Sequence, residues 1–180
     1  MKKILVIAFT LVISLDVSVA GTGDEKNDSK KNGSSLLAIQ RATYSTAIGV
    51  RGIGTSGLTI KHFTKSTTAI EGIVGFWPDA FSATLLLEKH VQAFEEVGLH
   101  WFYGFGGHLA AKSNVGGERF AYRERNGDFG LGVDGIFGIE YKISDIPIAI
   151  SLDVKPFIEV ESSGNVFFAF DPGLGIKVVF

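Results

Sequence analysis

The feature that most constrains this chain is a two-residue alternation that runs through two consecutive segments. In FGLGVDGIFGIEY, apolar side chains occupy almost every second position, and glycines and acids occupy most positions between them. In IPIAISLDVKPFIEV, isoleucine, leucine and valine alternate with serine, aspartate, lysine and glutamate. Successive side chains of a strand point to opposite faces, so each segment is predicted to be a β-strand with one apolar and one polar face.

Other segments rich in aromatic and β-branched residues repeat this pattern between short turn clusters. Because the polar faces consist largely of glycine and isolated charges, they suit the crowded interior of a narrow barrel. We therefore predict an all-β fold, an eight-stranded antiparallel up-and-down transmembrane β-barrel. The eight strands are predicted at about residues 43–53, 58–63, 68–76, 80–92, 98–111, 128–142, 147–160 and 166–180.

The fourth of these segments is ambiguous between strand and helix, over residues 83–95. Leu87, Val91 and Phe94 have the spacing of a helical stripe. The stretch FSATLLLEKHVQ also alternates, however, and only Leu86 breaks the alternation. We predict a strand here and keep the helix as the alternative.

The region before residue 43 is predicted to lie outside the barrel. Residues 1–20 have two lysines, a short apolar stretch and small residues near position 20, as in a cleaved signal peptide. The apolar stretch is too short for a spanning helix, which needs about 20 residues. Residues 21–42 are predicted to be a polar disordered spacer and lead-in, and residues 43–180 the barrel domain.

Composition supports export to a membrane and gives no sign of a nucleic-acid partner. The chain is 46% hydrophobic, but its apolar residues after position 42 are distributed in short pieces, as expected for a membrane β-barrel. A net charge of −2 gives no reason to expect nucleic-acid binding. With no cysteine in the chain, disulfides and a lipoprotein anchor are both excluded.

Charged and histidine side chains gather on the faces predicted to point inward. In hydrocarbon they would be costly, so we expect them to line the lumen and to pair with one another. An eight-stranded barrel is only wide enough for side chains to fill, which predicts a plug rather than an open channel. The predicted lumen residues are Arg51, Lys61, Glu71, Glu88, His90, His100, His108, Asp134, Glu140, Asp153, Lys155, Glu159, Asp171 and Lys177.

Aromatic residues fall near the ends of the predicted strands, on the outward faces. Two aromatic girdles bounding an apolar band are typical of an outer-membrane barrel. If the first strand begins in the periplasm, the periplasmic girdle contains Tyr44, Trp101, Tyr141 and Phe180. The outer girdle then contains Phe76, Phe81, Phe129 and Phe168.

The sequence carries no recognisable catalytic or cofactor motif. It lacks H-E-x-x-H, G-x-S-x-G and a phosphate loop. His100 and His108 lie about 26 Å apart along one predicted strand, too far to share a metal ion. The nearest catalytic-like set is His62, Ser66 and Glu71, which ordinary turn chemistry explains better. We expect no catalysis, cofactor or metal.

Several stretches resemble the small outer-membrane β-barrel proteins of Gram-negative bacteria, of the general build of OmpX and the OmpA membrane domain. These stretches are AIGVRG, GLTIKHF, AIEGIVGF, GLHWFYGFGGHLA and, most specifically, GIEYKISDIPIAISLDVKP. The resemblance implies an outer-membrane location and folding by the barrel-assembly machinery. The ending GLGIKVVF resembles the signal that this machinery recognises, carried by Leu174, Ile176, Val178 and Phe180. Only residues 113–127 form a sizeable outer loop, which makes OmpX-like adhesion doubtful.

The predicted function is that of an integral outer-membrane protein, a monomer in contact with outer-membrane lipids, with a structural or surface-exposed role. Two alternatives stay open. One is an exported calycin-like barrel that binds a small apolar ligand, in which the apolar faces would line the cavity. The other is a lipid-modifying outer-membrane enzyme.

Overall fold

The computed structural model describes residues 44–77, 80–94, 96–112 and 128–180. The predictions for the signal peptide, the spacer and the loop at 113–127 lie outside these residues. The eight strands are β1 (Thr46–Ile53), β2 (Ser56–Lys65), β3 (Thr68–Trp77), β4 (Ala80–Gln92), β5 (Leu99–Lys112), β6 (Phe129–Lys142), β7 (Ile148–Glu161) and β8 (Val166–Val179). Among the described residues, no helix has the length and apolar character needed to cross a membrane.

The strands form one closed antiparallel barrel in sequence order. Each strand pairs with the next along the chain, and β1 pairs with β8 to close the wall, with Ala47 opposite Val179 and Val50 opposite Ile176. Beyond this register, the Phe180 amide donates to the Thr46 carbonyl at 2.8 Å. The predicted eight-stranded up-and-down barrel is therefore confirmed.

The ambiguous fourth segment is a strand, which confirms the prediction. β4 pairs along its whole length with β5 and over most of it with β3. Leu86, which appeared to break the alternation, keeps the inward parity of Thr84 and Glu88 and is buried. It packs in the interior with Ile73, Phe102 and Ile136, so the apparent irregularity is an apolar residue at an interior position.

The barrel has two rims. The lower rim, where β1 begins and β8 ends, carries the connections at residues 66–67 and 143–147, and β4 ends and β5 begins there. At the upper rim, residues 54–55 join β1 to β2 and residues 162–165 join β7 to β8, and β3 and β5 end there while β4 and β6 begin. Gly98 and Gly164 adopt φ values of +88° and +84° at their turns, a backbone region that favours glycine.

The outward faces are apolar on all eight strands. Each of the following outward side chains is between 41% and 69% exposed: Ile48, Val50, Leu58, Ile60, Ile70, Val74, Leu85, Leu87, Phe105, Leu109, Leu131, Val133, Leu152, Ile158, Leu174 and Ile176. The charged residues of the same strands are almost all on the opposite, buried face. The barrel thus has an apolar exterior and a polar interior.

Candidate functional site: the charged interior

All fourteen residues predicted to line the lumen lie in the interior. Asp153 and His100 are the most accessible of them, and each is only 8% exposed. The alternation of the strands explains this placement, because each of these residues has the parity of the inward face of its strand. The interior charges form two groups, one toward each rim.

The lower cluster consists of Lys61, Glu71, Glu88, Glu140 and Lys177. Lys61 Nζ lies 2.9 Å from Glu71, 2.8 Å from Glu88 and 3.2 Å from Glu140. Lys177 Nζ lies 2.9 Å from Glu71 and 3.5 Å from Glu140. Two ammonium groups therefore share three carboxylates.

The contact between Lys61 and Glu140 spans the full width of the barrel. Lys61 lies on β2 and Glu140 on β6, which are opposite each other in a ring of eight strands. The Lys61 side chain is completely buried, and its ammonium group also lies 4.4 Å from the centre of the Phe102 ring. At this level the lumen is occupied by side chains.

Tyr44 belongs to the interior rather than to the predicted lower girdle. Its hydroxyl donates a hydrogen bond to Glu140, and its ring packs edge-on against Phe63 at 5.1 Å. Burial and the neighbouring carboxylate of Glu140 raise the pKa of the Tyr44 phenol well above its usual value, so that it remains a donor. The prediction was wrong because Tyr44 precedes β1, where strand alternation no longer sets the direction of the side chain.

The upper cluster consists of Arg51, Asp134, Asp153, Lys155 and Asp171. Arg51 donates to Asp153 at 2.6 Å and to Asp171 at 3.1 Å. Lys155 lies 2.8 Å from Asp134 and 3.3 Å from Asp171. Asp171 thus connects the two cations, and the cluster links β1, β6, β7 and β8.

His108 extends the upper cluster toward Glu159. Its Nδ1 lies 2.8 Å from Asp134 and its Nε2 lies 3.0 Å from Glu159. Each ring nitrogen therefore faces a carboxylate oxygen. With both carboxylates ionised, both nitrogens must carry a proton, so this geometry is that of an imidazolium ion.

Asp171 also fixes the turn between β1 and β2. The backbone N–H and the hydroxyl of Thr55 both donate to the Asp171 carboxylate at 2.7 Å, and the Gly54 amide donates to the Pro172 carbonyl at 2.9 Å. Thr55 was not among the predicted site residues. Its position in a two-residue turn, outside any alternating segment, left no sequence signal for this role.

Interior glycines make room for the largest interior side chains. A Cβ on Gly132 would lie 2.7 Å from His108 Nε2, and one on Gly138 would lie 2.5 Å from the Phe102 ring.

Phe102 and its apolar neighbours were not predicted in the interior. Strand alternation does indicate this position, because Phe102 lies between His100 and Gly104 on the inward face of β5.

The other predicted girdle residues lie on the outer surface near the rims. At the upper rim, Phe76 packs against Phe81 with ring centres 5.6 Å apart, and Phe129 and Phe168 are exposed. At the lower rim, Tyr141 and Phe180 are exposed. Trp101 is half-buried because it stacks on Phe137, with ring centres 5.6 Å apart.

The structure does not bring His62, Ser66 and Glu71 together on one face of the wall. His62 is exposed and its Nδ1 lies 2.9 Å from the Thr46 hydroxyl. Glu71 lies inside the barrel between two lysines. Within the described ranges, no group of three histidine or carboxylate side chains has the arrangement of a metal centre.

Comparison of the chain with protein-family models, curated proteins and solved structures gives no match. The observed strand number and closed antiparallel topology agree with the fold that the sequence resemblance implies. The family itself stays a prediction.

Proposed function

We propose that this protein is an integral β-barrel of the bacterial outer membrane, with a lumen filled by side chains and a structural or surface-exposed role without catalysis. One observation carries the proposal. The barrel exposes apolar side chains on all eight strands and buries its charges inside.

This arrangement is unfavourable in water and favourable in lipid. Soluble monomers rarely expose contiguous apolar patches larger than a few hundred Å², whereas here the apolar surface surrounds the barrel. Lipid would cover that surface. The hydrogen bonds between strands of the closed barrel would satisfy the backbone N–H and C=O groups, which hydrocarbon cannot do. The interior ion pairs keep charge away from the lipid.

Seven of the eight strands, β2 to β8, contain at least 10 residues and are long enough for this role. β5 to β8 each contain 14 residues, and a tilted membrane strand needs about 9–11. β1 is the shortest strand, with 8 residues. The wall around β1 therefore spans a shorter height than the wall formed by β5 to β8.

A calycin-like binder is less well supported, because it requires the reverse arrangement of faces. Its apolar residues would line a cavity and its charges would meet water. In the described strands the charges line the interior. For the lipid-modifying enzyme, the separation of His62 from Glu71 removes the observation that suggested it.

Cell fractionation with a heat-modifiability assay tests the location. We expect the protein to sediment with outer membranes and to migrate differently on a gel before and after boiling, as a folded barrel does. A stable monomer in the periplasmic fraction, soluble without detergent, would contradict the proposal.

Conductance measurements test the filled lumen separately. Because Lys61 and Glu140 meet across the barrel, purified protein in a planar bilayer should give no stable large conductance steps. Such steps, reproducible with pure protein, would overturn the filled-lumen proposal and leave the membrane location untouched.

A further inference from the structure

Three buried acceptor atoms belong to neighbouring inward-facing residues of β4 and β5 near the lower rim. They are His90 Nδ1, Gln92 Oε1 and His100 Nε2, and none has a hydrogen-bond partner among the described residues. Gln92 on β4 pairs directly with His100 on β5, and His90 lies one inward position deeper. Buried polar atoms are normally satisfied, so a group of three unsatisfied acceptors requires an explanation.

The donor groups of these side chains are already engaged. His90 Nε2 lies 3.1 Å from a Glu88 carboxylate oxygen, so this nitrogen donates and Nδ1 keeps its lone pair. The His100 ring hydrogen-bonds to the backbone of Gly98, which leaves Nε2 as its free acceptor. The Gln92 amide donates to the Glu96 carbonyl at 3.3 Å. All three free atoms are therefore lone-pair donors suited to a cation.

Packing fixes the ring of His90 and leaves the ring of His100 adjustable. The His90 ring is stacked on Phe102 at 5.3 Å and meets Phe63 at 4.8 Å. His100 lies one residue inside the start of β5, and the two histidine ring centres are 6.4 Å apart. Two imidazoles bound to one ion at about 2.0–2.1 Å per nitrogen have ring centres about 5 Å apart. A shift of about 1.4 Å at His100 would close the difference between 6.4 Å and about 5 Å.

We propose that His90, His100 and the Gln92 carbonyl form a binding site for one divalent transition-metal ion, such as Cu²⁺, Ni²⁺ or Zn²⁺, entered from the lower rim. Imidazole is a preferred ligand of these ions. Each histidine has its second nitrogen fixed by a carboxylate or a backbone group, as metal-bound histidines generally do.

Electron paramagnetic resonance of Cu²⁺ tests the site directly. Untagged, folded full-length protein in detergent is treated with chelator and given one equivalent of Cu²⁺. We expect a single species with splitting from two imidazole nitrogens. His100→Phe should remove one nitrogen coupling, and Gln92→Leu should weaken binding without changing the number of coupled nitrogens.

The exposed His62 provides the matched control. His62→Phe should leave the two-nitrogen spectrum unchanged, and heat modifiability shows that each variant is folded. Copper signals lost in His62→Phe, or unchanged in folded His100→Phe, would overturn the proposal. Failure of the wild-type protein to bind Cu²⁺, Ni²⁺ or Zn²⁺ would also overturn it, since water would then satisfy the three acceptors.

Discussion

Gly173 leaves the space that the guanidinium group of Arg51 occupies. A Cβ at position 173 would lie 2.5 Å from Arg51 Cζ and would overlap two of its nitrogens. Arg51 is held in that position by Asp153 and Asp171 at 2.6 and 3.1 Å. The side chain at position 173 therefore determines whether the upper cluster can form.

Gly173→Ala should destabilise the folded barrel by about 1–3 kcal/mol, as overpacking of a crowded interior does. The methyl group would displace a rigid guanidinium that already has two carboxylate partners. Urea unfolding from lipid vesicles measures the change in the free energy of unfolding. Gly52→Ala is the control, because a Cβ there meets no atom within 4 Å. Equal effects of the two substitutions would contradict the packing argument.

Lys61→Met should be more severe and cost about 3–5 kcal/mol, the range for removing one partner of a buried ion pair. The substitution leaves Glu71, Glu88 and Glu140 with Lys177 as their only neighbouring ammonium group in the lower cluster. The control is Lys65→Met, at the exposed end of β2. A Lys61→Met barrel as stable as wild type would show that the cluster does not hold the two walls together.

Leu152→Lys should lower the free energy of unfolding in vesicles by about 2–4 kcal/mol, because it places a charge on the outer face of β7 at membrane depth. Leu152 is 56% exposed in the isolated barrel. Ser144→Lys, in the exposed turn before β7, controls for the added charge. If both variants were as stable as wild type, the outer face would not contact lipid.

Phe180→Asp should reduce the amount of folded barrel in the outer membrane while signal processing continues. The residue forms backbone bonds across the β1–β8 seam and belongs to the ending predicted to be recognised during assembly. Heat-modifiable protein is measured on gels of fractionated cells. Phe168→Asp is the control, since Phe168 is similarly exposed at the opposite rim. The same yield from both variants would indicate that the ending has no special role.

Sequence alternation predicted the strands and their inward faces because side-chain direction in a strand depends only on parity. It did not predict which charges would meet. Lys61 contacts Glu140 because β2 and β6 are opposite in the closed ring, and that relation depends on the stagger of every strand between them. Alternation gave the wrong direction for Tyr44, which precedes β1, and no direction for Thr55, which lies in a turn. At Leu86 the parity indicates the inner face, whereas the apolar side chain on its own would suggest the outer face.

The seam between β1 and β8 has a consequence for the order of folding. Ser45 and Phe180 meet across it although they are 135 residues apart in the chain, whereas every other neighbouring pair of strands is consecutive in sequence. Contacts between distant residues form slowly because a long loop must close first. Until β1 and β8 pair, each of these two strands has one edge with unpaired backbone groups. Such an open edge can pair with another molecule, and closing the ring removes both edges at once.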